Sequence, residues 1–131
     1  MIDVEKYVYT RIHDRVREHY PKCKVTDIYP RVNSSFPCVY VEMSDNALNS
    51  EDTTDEHEYS APMFTIEIFS NLVNGAKGQT KAIAAIIDNI MSSINFERTN
   101  MTPVPNMGDA TIYRLVLRYR GMTDGTYFYR R

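Results

Sequence analysis

Two cysteines, no long apolar run and no basic excess are the first constraints that this 131-residue chain sets. Cys23 and Cys38 stand far from a CxxC spacing, so a zinc or redox motif is excluded and both thiols are expected to be reduced and structural. No stretch approaches the roughly 20 apolar residues of a membrane-spanning helix, and Met1 to Lys6 lacks a signal peptide's apolar centre. A cytoplasmic site of synthesis and no membrane partner are the expectation. The formal net charge of -2 argues against a protein that coats nucleic acid, because such domains carry a clear basic excess. Charged residues at 24% and hydrophobic residues at 43% are ordinary for a folded domain, and the length suits one, spanning residues 1 to 131.

Periodicity supplies the elements. Asp3 is a plausible N-cap for a helix of about four turns in which Val4, Val8, Ile12 and Val16 recur until Pro21 ends it. Val25 to Tyr29 and Cys38 to Met43 read as strands, the second with Val39, Val41 and Met43 on one face. Residues 44 to 58 turn polar and acidic and read as a long loop. Phe64, Ile66 and Ile68 alternate along a half-buried strand. A second helix, capped by Asn74, aligns Ile83, Ile86, Ile87, Ile90, Met91 and Ile94 in one stripe. Asn95 to Asn100 reads as a short strand ahead of a turn at 103 to 108. In the strand from Thr111 to Arg120, Tyr113, Leu115, Leu117 and Tyr119 share a face opposite Arg114, Arg118 and Arg120. The last ten residues, 122 to 131, read as an edge strand or an extended arm. This order predicts an α+β domain: a mixed, mostly antiparallel sheet with two helices packed on one face. The other face, with Thr65, Glu67, Phe69, Arg114, Val116 and Arg118, is too mixed for a second core and suits a subunit contact.

Catalytic motifs fail when tested. Asn74-Gly75-Ala76-Lys77-Gly78 offers a glycine-containing loop at a helix N-terminus, but two residues separate the glycines where a P-loop needs four. His57 sits among Asp55, Glu56 and Glu58, yet no second histidine stands at ligand spacing, and a solvated acidic run is the simpler reading. His13 and His19 fall on the polar side of the first helix without an evident partner. No G-x-S-x-G elbow is present, which leaves Cys38 or His57 as the least implausible centre of a small enzyme. No cofactor or metal is expected.

Charge segregation points elsewhere. The region from Glu42 to Glu67, with Glu51, Asp52, Asp55 and Glu56, is purely acidic, whereas the last long strand is basic. Arg114, Arg118 and Arg120 are therefore expected to meet Glu67 across strands, or the acidic loop of a neighbouring subunit. Head-to-tail contacts of that kind close into a ring.

Phe36-Pro37-Cys38-Val39-Tyr40-Val41-Glu42, then Phe64-Thr65-Ile66-Glu67-Ile68-Phe69-Ser70-Asn71 with Gly75 opening a helix, resembles the tail terminator (tail completion) proteins of long-tailed bacteriophages. Ala110 to Gly121 is similar to the last long strand of those proteins and of their head-tail joining relatives. The resemblance covers nearly the whole chain and implies a virion structural protein without enzymatic activity. By the same resemblance it forms a ring, expected to be a hexamer, at the head-proximal end of the tail. Its partners would be copies of itself, the tail tube protein and the head-tail connector proteins, with phage DNA passing through unbound. Assembly would take place in the bacterial host cytoplasm. The family has no catalytic residues to carry over.

Overall fold

The computed structural model describes residues 2–30, 35–48, 59–105 and 109–129. The first helix, α1 (Glu5–His19), takes Val4 rather than the expected Asp3 as its N-cap and has no side-chain cap; Asp3, one residue earlier, accepts the Glu5 N–H on Oδ1 at 3.0 Å. It buries Val8, Ile12 and Val16 completely. Pro21 cannot continue it, and the Arg17 guanidinium donates to the Pro21 carbonyl at 2.8 Å, fixing the exit.

β1 (Lys24–Thr26) is shorter than the expected 25–29 strand, because Thr26 Oγ1 accepts the Ile28 N–H at 3.0 Å and bends the chain away. β1 pairs in parallel with β2 (Cys38–Leu48), which pairs antiparallel with β3 (Ser60–Ser70). The long-loop expectation is corrected here. Ser44 to Leu48 continue β2 past a register shift between Met43 and Asp45, and Leu48 faces Ser60. These polar residues form a ladder because their side chains sit in water while the backbone pairs, so no alternation marks them. Residues 49–58, with Glu51, Asp52, Asp55, Glu56 and His57, lie outside the described residues.

Helix α2 (Ala76–Ser93) carries the expected stripe, with Ile83, Ile87, Ile90 and Met91 buried. Its start differs from expectation. Asn74 adopts a left-handed φ of 60°, Gly75 takes the N-cap position, and the helix has no side-chain cap. Asparagine tolerates that conformation better than most residues, so the Asn-Gly pair shapes the turn instead. Asn95, at φ 63°, turns the chain from α2 into β4 (Glu97–Pro103). β4 lies two residues later than expected, since a strand exposed at all seven positions carries no periodic signal.

β5 (Tyr113–Arg120) lies antiparallel between β3 and β4, giving the strand order β1-β2-β3-β5-β4. The tail resolves the choice between edge strand and arm. β6 (Met122–Thr123) bonds β3 at Ser60, and β7 (Phe128–Tyr129) folds back on β6 as a hairpin. Phe128 stacks on Tyr7 at 5.5 Å and meets Phe96 at 5.6 Å.

Both helices cover one sheet face, and their stripes join Val39, Val41, Phe64, Ile66, Ile68, Leu115 and Leu117 in one core. Each fully buried aliphatic chain there stabilises the fold by roughly 1.5–3 kcal/mol. The fold is α+β, with a mostly antiparallel mixed sheet.

Candidate functional site

The outer sheet face holds the arginine stripe, and it is built in three rows. Register places Cys38, Phe69 and Arg114 side by side, then Tyr40, Glu67, Val116 and Thr102, then Glu42, Thr65, Arg118 and Asn100. The first two rows form a second, smaller core, contrary to expectation. Cys38, Tyr40, Phe69 and Ile112 are buried together, with Phe36 packed on them. The Tyr29 ring meets Tyr40 at 5.2 Å and Phe69 at 6.0 Å, both edge-on. Tyr29 and Phe36 thus cover a face that alternation alone marks as half polar.

Glu67 and Arg114 lie within this small core. Arg114 Nε donates to Glu67 Oε1 at 2.6 Å, and its Nη2 reaches the same oxygen. Their side chains are only 7% and 22% exposed, respectively, and the Arg114 guanidinium also lies 5.9 Å from the Phe69 ring centre. A pair this buried is internal to the subunit. Of the two partners expected for Arg114, the cross-strand Glu67 is the one it holds.

Arg118 and Arg120 differ. Arg118 is exposed between Thr65 and Asn100, with no side-chain partner among the described residues. Arg120 reaches Glu97 at 3.5 Å across the β4–β5 pair, both ends in water, a contact worth about 0–1 kcal/mol. These two arginines remain available to a partner.

On the helix side, Asp88 ties α2 to the far strands: Tyr119 donates its hydroxyl to Oδ1 at 2.6 Å, and Arg98 meets Oδ2 at 2.8 Å. Burial and the neighbouring carboxylate push the Tyr119 phenol far above its usual range. His13 lies 3.0 Å from Asp14, and His19 donates Nδ1–H to the Arg15 carbonyl at 3.2 Å, so both have partners that the sequence left unassigned.

Cys38 makes a poor nucleophile. Burial raises its thiol to about 11 against a small opposing pull from Lys24, and raises the Cys23 thiol to about 12. Catalysis needs the thiolate, which neither supplies at neutral pH. Among the described residues, no three His, Cys, Asp or Glu side chains are grouped to hold a metal.

Sequence reasoning overlooked Leu72 and Val73, a short apolar pair lost between two longer signals. They cap the β3–α2 turn at 50% and 83% exposure. Ser70 Oγ accepts the Leu72 N–H at 3.3 Å, and the Leu72 side chain lies 3.2 Å from where a Cβ on Gly75 would stand.

No family model and no curated protein matches the sequence. Among solved structures, the fold is similar to that of a chain in the virion of a native gene transfer agent particle. The TM-score is 0.57, over 86% of this chain and 88% of that one, at 13% identity. The two chains share a fold.

Proposed function

We propose that this protein is a tail terminator: a non-enzymatic phage virion protein that caps the head-proximal end of the tail tube and stops its growth. The observation that carries the reading is the fold shared with a chain of a gene transfer agent virion across most of both chains. The sequence resemblance to tail terminators at Phe36–Glu42, Phe64–Asn71 and Ala110–Gly121 supports the specific role. A free tube end offers surface that recruits more tube subunits, and a ring complementary to it but different on its far face ends that recruitment. The far face then receives the head-tail connector, and DNA passes through the ring.

Heterologous contacts that close by rotation give such a ring a defined subunit number, which the resemblance to tail terminators sets at six. Arg118 and Arg120 are the cations of the outer face offered to neighbours. The acidic run with Glu51, Asp52, Asp55 and Glu56 is their proposed counterpart, while Glu67 and Arg114 serve the fold beneath. Electron microscopy of the purified protein mixed with tail tubes tests the reading. Rings seated on tube ends are expected, and tubes that keep elongating in its presence contradict it. A head-tail joining role is the alternative within the same fold, and its loss would leave tails of normal length detached from filled heads.

A further inference from the structure

The two ends of β3 differ in chemistry, and the difference is complementary. Eleven residues at ~3.3 Å each set those ends about 33 Å apart. Beyond Ser70 lies the exposed Leu72-Val73 tip. Two lysines stand at this end: Lys77 in the first turn of α2, and Lys24 at the start of β1, two strands across from Phe69 through Cys38. Both are exposed, and neither ammonium has a carboxylate partner among the described residues. One acid, Asp109, lies in the adjoining chain before β5, where it accepts from the Thr111 N–H and hydroxyl.

At the Ser60 end, Leu48 is 68% and Tyr127 65% exposed. Tyr129 links Tyr127 to Tyr59, its ring centre 6.1 Å from that of Tyr59 and 6.5 Å from that of Tyr127. Three acidic residues stand in the chain segments around this surface. Asp3 follows Ile2, whose carbonyl accepts from Asn46; Asp45 precedes Asn46; and Asp124 precedes Gly125, packed on the Ile2 side chain. Hydrogen bonds from Thr126, Tyr127 and Tyr129 hold the Asp124 carboxyl below its usual range, so it stays charged. Lys6 is the nearby cation, one turn along α1.

We infer that these ends are the two halves of one head-to-tail contact: the Leu72-Val73 tip with its lysines docks on the tyrosine and carboxylate surface of a second copy of this chain. Each half joins an apolar centre to a charged rim of opposite sign, the composition of a specific interface. The halves are unlike, so each copy uses both and the contact propagates from subunit to subunit. This deepens the ring proposed above and rests on it for closure. Arg118 and Arg120 lie outside this contact and keep the neighbour's acidic run as their proposed counterpart, while the helix layer stays open to other partners.

Complementation tests it. Val73→Asp removes the tip and Tyr127→Asp removes the surface, and both positions are exposed, so unchanged circular dichroism and unfolding midpoints verify folding. Each variant alone should associate about 30-fold or more weaker than the parent, as loss of an interface centre does. Mixed, they should form a 1:1 pair that grows no further by sedimentation velocity, since one good half survives on each. Lys24→Glu/Lys77→Glu should weaken association and Asp3→Lys/Asp45→Lys should restore it in the mixture. Parent-like association of both single variants overturns the inference, as does a mixture that forms no pair or a parent chain monomeric at about 1 mM. Rings on tube ends formed by both variants would overturn this contact and leave the terminator reading intact.

Discussion

Replacing Arg114 with alanine strands Glu67 in the small outer core, and the structure sets the size of the effect. The Glu67 carboxylate, 7% exposed, loses both guanidinium contacts and sits between Tyr40 and Val116, neither of which supplies a counter-charge. Breaking a buried pair from one side costs about 3–5 kcal/mol. Glu67→Ala should cost less, about 1–3 kcal/mol, because the Arg114 head is 22% exposed and its long stem lets it lean to water. The double replacement Glu67→Leu/Arg114→Met removes both charges and should lie within about 1 kcal/mol of the parent or above it. Urea unfolding followed by circular dichroism, at two protein concentrations about tenfold apart, measures all three. Losses that do not depend on concentration identify an internal pair. An Arg114→Ala variant within about 0.5 kcal/mol of the parent, or a loss that vanishes on dilution, refutes that assignment and returns Arg114 to the intersubunit surface.

Other perturbations follow from single contacts. Gly121→Ala places a Cβ about 2.9 Å from the Phe96 ring, so a loss of about 1–3 kcal/mol from overpacking is expected in the same urea assay; an unchanged midpoint would show that the ring yields freely. Asp88→Ala leaves the buried Tyr119 hydroxyl without its acceptor and should cost about 1–3 kcal/mol. Tyr119→Phe in that background should recover part of the loss, and no recovery would contradict the pairing. Both thiols are raised by burial from 9.0, to about 12 for Cys23 and about 11 for Cys38. A raised thiol favours the fold below the unfolded-state value and loses that contribution as pH climbs to the folded value. Stability should therefore fall between about pH 8.5 and 11, and a Cys23→Ala/Cys38→Ala variant should fall less steeply; identical pH profiles would count against it.

Much of the architecture is written in periodicity. Val8, Ile12 and Val16 announce α1, the isoleucine stripe announces α2, and alternation marks β3 and β5, because in each case one face must leave water. Legibility stops where burial is two-sided or absent. Ser44 to Leu48 and β4 are mostly exposed strands held by backbone bonds, so the sequence hides the first and marks the second only over its first half, within the strand expected at Asn95 to Asn100. Glu67 and Arg114 read as surface charges because their cover, with Tyr29 and Phe36, comes from chain earlier in the sequence. The Leu72-Val73 tip hides for the opposite reason: two apolar residues in a turn look like the end of a strand until their exposure is known.

The central claim is that this chain ends tail-tube growth, and the length distribution of tails made without it is the most direct measurement. Phage carrying a deletion of this chain should yield tails of uncontrolled length, with uniform tails restored by adding the protein during assembly. Tails of normal length in the deletion would contradict the terminator role.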